Sequence, residues 1–187
     1  IHYMAKEDNL ELYNKIREPI LEKLYDNIME IPEHAPIAKL IYEELKFSNK
    51  CVNMSKKEWY RFCQETHKWE IDREGNFVYG YFDKIAEEIK KRYGKHHQIM
   101  ALSLDCTNEQ IAELTKKKNT VEKLLKSLNK GPFRKSVVEE ASRLLLDESF
   151  EEKKDENKSI LGFTNGVYDF NYFVFRNGMP EDYITMN

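Results

Sequence analysis

The sequence predicts an α+β domain that is predominantly α-helical. Glycine and proline interrupt helices, and they number only seven and five in a chain of 187 residues. Hydrophobic residues make up 41% of the chain and charged residues 34%, which is typical of a globular protein with a well-solvated surface. Short β-branched and aromatic runs between turn residues predict a small sheet around residues 50–72 and a C-terminal hairpin around residues 160–176.

The first segment is predicted to be helical. Apolar residues recur every three or four positions over residues 10–28, and Asp8 is placed to cap such a helix. Pro19 interrupts the pattern, so we expect a kink there or two helices that meet. We expect residues 1–34 to form an N-terminal helical extension and residues 35–187 to form the main domain.

The central part of the chain alternates between helical and strand patterns. An amphipathic helix is predicted over residues 37–45, and the runs 51–54, 59–63 and 68–71 predict three short strands separated by polar turns. A long helix follows, and residues 96–104 are expected to be helical again. The core face of the long helix would carry Phe77, Val78, Tyr81, Phe82, Ile85, Ala86 and Ile89.

Two more helices are predicted from their start signals. Thr107 and Gln110 form a capping box at the start of the first, and the Gly-Pro pair at residues 131–132 breaks the chain between the two helices. Ser136 with Glu139 is a second candidate box for the next helix. The side chains expected to face the core from these two helices are Ile111, Leu114, Val121, Leu125, Leu128, Val137, Ala141, Leu144 and Leu145.

Charge, hydropathy and cysteine usage bear on the partners of the chain. The formal net charge of −3 gives no global attraction to nucleic acid, so any DNA contact must be weak and confined to a local patch. No apolar run approaches the roughly 18 residues that a membrane-spanning helix needs, so we expect no membrane partner. The thiols of Cys51, Cys63 and Cys106 are odd in number and widely spaced, which favours reduced cysteines in a cytosolic protein.

Basic residues cluster in two places. Residues 116–135, predicted as a basic helix, carry eight cations against the single acid Glu122, and a second group surrounds Trp59, Tyr60 and Trp69. Cations neutralise phosphates and rings stack on bases, so both groups fit a strand-binding surface, although a solvated helix face and a set of core aromatics remain open alternatives. The candidate contacts are Lys56, Lys57, Arg61, Lys68, Lys116, Lys117, Lys118, Lys123, Lys126, Lys130, Arg134 and Lys135.

Signals for catalysis are weak. Residues 75–80 have the G-x₄-G spacing of a phosphate loop, but aromatic residues follow where Lys and Ser or Thr are needed, so we reject this site. Cys63 and His67 are spaced like half of a zinc site without a matching second pair, so we expect no metal. Adjacent acidic pairs on predicted helices should face solvent, and we expect neither catalytic residues nor a cofactor in this chain.

Three stretches together resemble a known family. Residues 159–186, SILGFTNGVYDFNYFVFRNGMPEDYITM, resemble the segment that closes the domain just upstream of the superfamily-three helicase core in poxvirus-type viral primase-helicases. The helix, Trp-Tyr pair and His-Lys-Trp element within residues 38–72 and the helix with a charged end at 133–158 resemble other parts of the same pattern. The resemblance implies structural roles for Trp59, Tyr60, His67, Trp69, Asn165, Gly166, Tyr168, Asp169, Arg176, Pro180, Glu181 and Asp182.

The resemblance also implies a function. It implies a connector or collar domain that supports assembly of a homo-oligomeric helicase ring and engages DNA during viral genome replication in the host cytoplasm. We expect the chain to be a piece of a longer polypeptide. The resemblance implies that ATP and Mg²⁺ would bind a core of that polypeptide downstream of this chain. Two alternatives remain: a free-standing nucleic-acid-binding module that uses residues 116–135, and a catalytic domain with a metal at Cys63 and His67.

Overall fold

The computed structural model describes residues 9–94 and 107–186. Helices dominate the described residues and two small antiparallel sheets accompany them, which confirms the predicted α+β class. The helices are α1 (Leu10–Glu30), α2 (His34–Leu45), α3 (Asn76–Tyr93), α4 (Asn108–Leu128), α5 (Gly131–Leu144) and the single turn α6 (Phe150–Lys153). The strands are β1 (Asn49–Asn53), β2 (Glu58–Cys63), β3 (Lys68–Ile71), β4 (Ile160–Phe163), β5 (Gly166–Asp169) and β6 (Val174–Arg176).

Each sheet has three strands in sequential order. In the first sheet β2 lies between β1 and β3, and in the second β5 lies between β4 and β6. The predicted C-terminal hairpin is therefore part of a three-stranded sheet. A single turn of 3₁₀ helix, Pro180–Asp182, follows β6 and precedes the last described segment, residues 183–186.

The N-terminal segment is a single helix that contains Pro19, so the alternative of two helices that meet there is wrong. Proline removes one backbone donor, but its ring lies on the exposed side of α1, and the second half of the helix packs into the core through Leu24, Tyr25 and Ile28. The helix begins with Asn9, whose side-chain oxygen accepts a hydrogen bond from the Leu12 amide at 2.9 Å. The predicted cap Asp8 lies outside the described residues.

The main core forms between the helices and the first sheet. The apolar face of α2, including Ile37, Leu40 and Ile41, is completely buried, as its spacing predicted. It packs with the buried face of α3 and with Trp59 of β2 in one cluster. Since the second half of α1 belongs to the same cluster, that half folds as part of the main domain.

The start of α3 depends on a close contact with Trp59. Gly75 has a φ of +70°, and a Cβ built there would lie 3.0 Å from the Trp59 indole. Gly75, the first glycine of the rejected phosphate-loop pattern, thus allows close packing against Trp59.

Asp72 lies just before α3 and accepts a hydrogen bond from the Phe77 amide at 3.1 Å. Burial raises the pKa of the Asp72 carboxyl above its usual range. The helix buries Val78, Phe82, Ile85 and Ile89, while Phe77, Tyr81 and Ala86 are half-buried.

The start of α4 confirms one capping box, and the start of α5 contradicts the other. The Gln110 amide donates to the Thr107 hydroxyl at 3.3 Å, and the Thr107 amide donates to the Gln110 side chain at 3.0 Å. Ser136 instead lies inside α5 and donates to the Pro132 carbonyl at 3.2 Å. Pro132 sits in the first turn, where its missing N–H costs nothing, so α5 begins at Gly131.

The buried faces of α4 and α5 differ in detail from the prediction. Leu124 is buried in place of Leu125, and Ile111 is exposed because only the C-terminal half of α4 packs on the core. On α5, Val138 is buried and Leu144 is exposed. The predicted helix at residues 96–104 lies outside the described residues.

Candidate functional site

A group of lysines lies along the solvent face of α4 and at its end. Lys116 and Lys123 are seven residues apart, about 10.5 Å along the helix, and therefore lie on the same side. Lys126 is exposed beyond them, and Lys130 is exposed in the connection to α5. We refer to Lys116, Lys123, Lys126 and Lys130 as the lysine row.

Two features leave the lysine row available to a ligand. Within the described ranges, Lys123, Lys126 and Lys130 have no carboxylate within 4.0 Å, so their charges are not neutralised locally. The Lys116–Lys123 stretch borders a shallow groove with small or polar neighbours such as Thr115, Asn119 and Thr120. A flexible phosphate chain could lie along such a surface without steric obstruction.

A second shallow groove, of about 570 Å³, adjoins Lys130. Its walls include the rings of His34 and Phe133, whose centroids are 4.6 Å apart. Sequence reasoning missed these two side chains because they come from different helices. An aromatic surface beside a lysine has the composition of a base-stacking site.

The other basic residues of the 116–135 stretch are partly engaged. Lys117 pairs with Glu113 at 2.8 Å, and Lys118 lies 3.9 Å from Glu122. Arg134 donates to the Leu128 carbonyl and to Asp83. Lys135 is exposed on α5. The predicted single basic helix is thus two helices, with the lysine row as its most accessible part.

The second basic cluster does not form an aromatic binding surface. Trp59 and Trp69 are only 1% and 2% exposed, and the Tyr60 ring packs on Phe150 with centroids 4.6 Å apart. These rings cannot stack on bases in this structure, so of the two alternatives that the sequence left open, the set of core aromatics is the one observed. Lys68 is also buried, at 7% exposure, and we remove it from the candidate contacts.

The remaining basic residues of that cluster divide into two kinds. Arg61 lies over the Phe77 ring, 4.9 Å from its centroid, and 3.6 Å from the carboxylate of Glu70. Lys56 and Lys57 are exposed in the turn between β1 and β2. Within the second basic cluster, only Lys56 and Lys57 remain accessible for contact with a phosphate.

The family-like residues near the C-terminus form an ion-pair network. Arg176 donates to both carboxylate oxygens of Asp182, at 2.8 Å each, and to Asp169 at 3.3 Å. Both carboxylates are buried, and hydrogen bonding to Asp182 raises the pKa of the guanidinium. Asp169 and Asp182 also accept the amides of Asn171 and Met179, the turn-capping role that their positions suggested.

Two of the family-like stretches, residues 38–72 and 159–186, meet at Trp69. Its indole nitrogen donates to the Pro180 carbonyl at 2.8 Å, and its backbone amide donates to the Ile184 carbonyl at 2.8 Å. Trp69, Phe62 and Phe150 form a second small core, against which Tyr183 packs. The first sheet therefore holds the segment that follows the 3₁₀ turn.

Asp155 holds the same segment from the other side, a role that the sequence did not suggest. Its carboxylate accepts the Thr185 amide at 2.7 Å, the Thr185 hydroxyl, and the Met186 amide at 3.3 Å. Its own amide donates to the Tyr183 carbonyl at 2.9 Å. We call the contacts of Trp69, Asp155, Arg176 and Asp182 the C-terminal clamp.

Three glycines allow the close approaches in this region. A Cβ at Gly178 would lie 2.6 Å from the His67 carbonyl oxygen, and one at Gly166 would lie 2.6 Å from the Arg176 carbonyl oxygen. A Cβ at Gly162 would lie 2.7 Å from the Ile184 side chain. Of the other family-like residues, Asn165 and Glu181 are exposed in turns and Tyr168 is half-buried.

The described residues contain no group of three or more His, Cys, Asp or Glu side chains that could hold a metal. Cys63 is a free, half-buried thiol, and burial raises the pKa of the Cys51 thiol. His67 packs with Gly178 rather than in an open site. Among the helices described, none has the length and apolar character needed to cross a membrane.

Comparison with known proteins shows the family of the chain. The family described as "D5 N terminal like" matches residues 38–187, which include the three family-like stretches and the C-terminal clamp. The chain belongs to this D5 N-terminal-like family.

Two relatives of the D5 domain carry helicase names. The chain is 31% identical over 190 residues to "Putative helicase L207/L206" of Acanthamoeba polyphaga mimivirus, a match that covers all of this chain and 19% of that protein. It is 42% identical over 79 residues to "Putative helicase 184R" of Invertebrate iridescent virus 6, covering 40% of this chain and 8% of that protein. The chain therefore spans about a fifth of the mimivirus relative.

Proposed function

We propose that this D5 domain is a non-catalytic connector, or collar, in a viral DNA primase-helicase. In this proposal it supports assembly of the homo-oligomeric helicase ring and contacts DNA during genome replication in the host cytoplasm. ATP and Mg²⁺ bind a separate ATPase core of the longer protein, and primer synthesis belongs to another domain. This division of labour rests on the family and on the short share of the mimivirus relative that the chain covers.

The observation that carries the proposal is the C-terminal clamp. Residues 183–186 have no regular secondary structure, yet Trp69, Asp155 and the turn at residues 180–182 hold their backbone. A flexible linker would lack such contacts. A segment fixed in this way transmits the orientation of one domain to the next, which is what a connector in a ring requires.

The test uses the full-length viral protein with Asp155→Ala. The substitution removes the acceptor for the Thr185 and Met186 amides and leaves the main core untouched. We expect weaker ring assembly and slower unwinding with ATP binding retained. Glu156→Ala is the matched control, because Glu156 is the exposed neighbour and should behave as wild type. Wild-type assembly and unwinding by Asp155→Ala would contradict the connector role.

The lysine row supports a second candidate, a free-standing nucleic-acid-binding module. Such a module binds single strands in isolation at micromolar affinity or better, with a clear salt dependence. A connector binds weakly alone and gains affinity only in the ring. An anisotropy titration of the isolated chain with a labelled single strand separates the two candidates.

A further inference from the structure

One face of α4 joins the two shallow grooves. Lys116, Thr120, Lys123 and Ser127 follow one another at intervals of four, three and four residues, so they lie on the same side of the helix. The first three border the groove along the middle of α4, and Ser127 borders the groove next to Lys130. We call this side of the helix the α4 face. From Lys116 to Ser127 it extends about 16 Å.

The groove at the end of the α4 face contains two accessible aromatic rings. The rings of His34 and Phe133 are tilted by 42° to each other, and both residues are only half-buried. The His34 imidazole has no hydrogen-bond partner among the described residues. The fold therefore leaves ring surface and polar atoms in this groove available to a ligand. We call it the His34–Phe133 groove.

The His34–Phe133 groove is large enough for a small planar ligand. Its volume of about 570 Å³ lies within the range of about 300–1,000 Å³ that is typical of small-molecule clefts. Gly131 forms part of its wall, and a Cβ built at this residue would meet nothing within 4 Å. A flat ring can therefore reach His34 and Phe133 from solvent.

The charge beside the α4 face favours a chain of phosphates. Lys123, Lys126 and Lys130 have no carboxylate within 4.0 Å in the described ranges, and none of the described residues that line the His34–Phe133 groove is acidic. Cations neutralise the phosphates of a strand, and ring stacking adds affinity that does not depend on charge. At about 3.4 Å per nucleotide, a path of about 16 Å accommodates roughly five nucleotides.

The rings distinguish a single strand from a duplex. In a duplex the faces of each base are covered by its neighbours, and taking a base out of the stack costs energy. In a single strand the bases can be splayed out and stacked on aromatic side chains. A duplex would therefore offer its phosphates to the lysines and nothing to the groove.

We propose that the lysine row and the His34–Phe133 groove form one binding site for single-stranded DNA, in which the phosphates follow the α4 face and one base stacks in the groove. This deepens the DNA contact of the proposed function and rests on it. The lysines supply the salt-dependent part of the affinity. The groove supplies the preference for a strand with exposed bases.

The first test uses the full-length viral protein and a single strand that carries 5-iodouracil, a base that bonds covalently to a neighbouring aromatic ring on irradiation. We expect cross-links to peptides that contain His34 or Phe133, located by mass spectrometry. Phe173 is the matched control, because it is 78% exposed in the turn between β5 and β6 and borders neither groove. No cross-link in the groove, or a yield no higher than at Phe173, would overturn the proposal.

The second test compares an oligothymidine strand with an abasic strand of the same length, which keeps the phosphates and lacks the bases. The chain of residues 1–187 is used, because both hydrophobic cores lie within it. At low salt it should bind the oligothymidine about 5-fold to 100-fold more tightly, the range expected for one stacked base. Equal binding of the two strands would overturn the proposal.

A double variant assigns this preference to the groove. His34→Ala with Phe133→Leu should bind both strands equally and keep the salt dependence of the wild type, because the lysines remain. Leucine retains an apolar side chain at residue 133, so the melting temperature should stay close to that of the wild type. The control Phe173→Leu should keep the preference for oligothymidine. A double variant that also keeps it would overturn the proposal.

The outcomes separate this site from the connector role. Equal, salt-dependent binding of both strands by the wild type removes the groove and leaves the DNA contact of the lysine row. Binding of neither strand removes both the groove and that contact. The connector role is judged from Asp155→Ala in the full-length protein, so either proposal can fail alone.

Discussion

The indole nitrogen of Trp69 donates a hydrogen bond to the carbonyl oxygen of Pro180 at 2.8 Å, across 111 residues of sequence. This bond joins the first sheet to the turn that precedes the last described segment. Two of the three stretches that resemble the family are therefore in direct contact. Together they hold the backbone of residues 183–186 in place.

The ion-pair network at Arg176 should be essential for stability. Arg176→Ala leaves the buried carboxylates of Asp169 and Asp182 without their cation, so the free energy of unfolding should fall by about 3–5 kcal/mol. Arg176→Lys should recover only part of this loss, because an ammonium cannot donate to both oxygens of Asp182 in the same way. Urea denaturation of the isolated chain measures both values.

An exposed ion pair provides the control for this network. Arg143 pairs with Glu140 on α5, and both side chains are largely in solvent. Arg143→Ala should change the free energy of unfolding by less than about 1 kcal/mol. A similar cost for Arg143→Ala and Arg176→Ala would show that the buried network has no special role.

Tryptophan fluorescence should report two buried indoles. Trp59 and Trp69 lie in separate cores, so emission of the native chain should be blue-shifted and protected from iodide. Unfolding in urea should shift the emission to the red and remove the protection. Native emission that is already red-shifted and quenched would mean that the rings are available to bases, contrary to the structure.

The lysine row should supply most of the DNA contact of the isolated chain. Replacing Lys116, Lys123 and Lys130 with Gln removes three phosphate contacts. The slope of log K against log salt should then become shallower by about 2, at roughly 0.7 per contact with a single strand. Fluorescence anisotropy at several salt concentrations gives the slope.

The control for the lysine row removes the same charge elsewhere. Lys15, Lys23 and Lys39 are exposed on α1 and α2, and their replacement with Gln should leave the slope nearly unchanged. An equal decrease in the slope of log K against log salt in both triple variants would show that binding depends on total charge alone. The double variant Lys56→Gln with Lys57→Gln measures how much the two exposed lysines of the second basic cluster contribute to DNA binding.

Close backbone packing should make Gly178 intolerant of a side chain. A Cβ there would lie 2.6 Å from the His67 carbonyl oxygen, so Gly178→Ala should cost about 1–3 kcal/mol of unfolding free energy. Gly80→Ala is the matched change, because a Cβ at that helical position meets nothing within 4 Å. It should stabilise the chain by about 0.5–1 kcal/mol. Thermal unfolding of the two variants should thus shift in opposite directions.

Local signals in the sequence predicted local structure well. The Thr107 box needs only residues three positions apart, and the buried face of α2 follows from its own spacing. Ser136 failed as a cap because Pro132 offered an earlier start, and both signals were visible in the sequence. Pro19 does not divide α1 into two helices, because tertiary packing of the second half of α1 outweighs one lost hydrogen bond.

Long-range relationships could not be derived from spacing. Nothing in the pattern around Asp155 indicates that its carboxylate binds backbone amides 30 residues later. The His34–Phe133 groove and the burial of Lys68 likewise depend on how distant elements pack. Resemblance to the family identified Trp69, Arg176 and Asp182 as a set, but only the structure shows that they act on one segment.

The proposed connector role requires that the viral gene encode an ATPase core after the codon for Asn187. Sequencing the reading frame beyond that codon should reveal a G-x₄-G-K-[ST] phosphate-binding loop within roughly a hundred residues, as expected if the chain is the proposed connector to an ATPase core. A reading frame that stops after Asn187, with no such loop, would contradict the account.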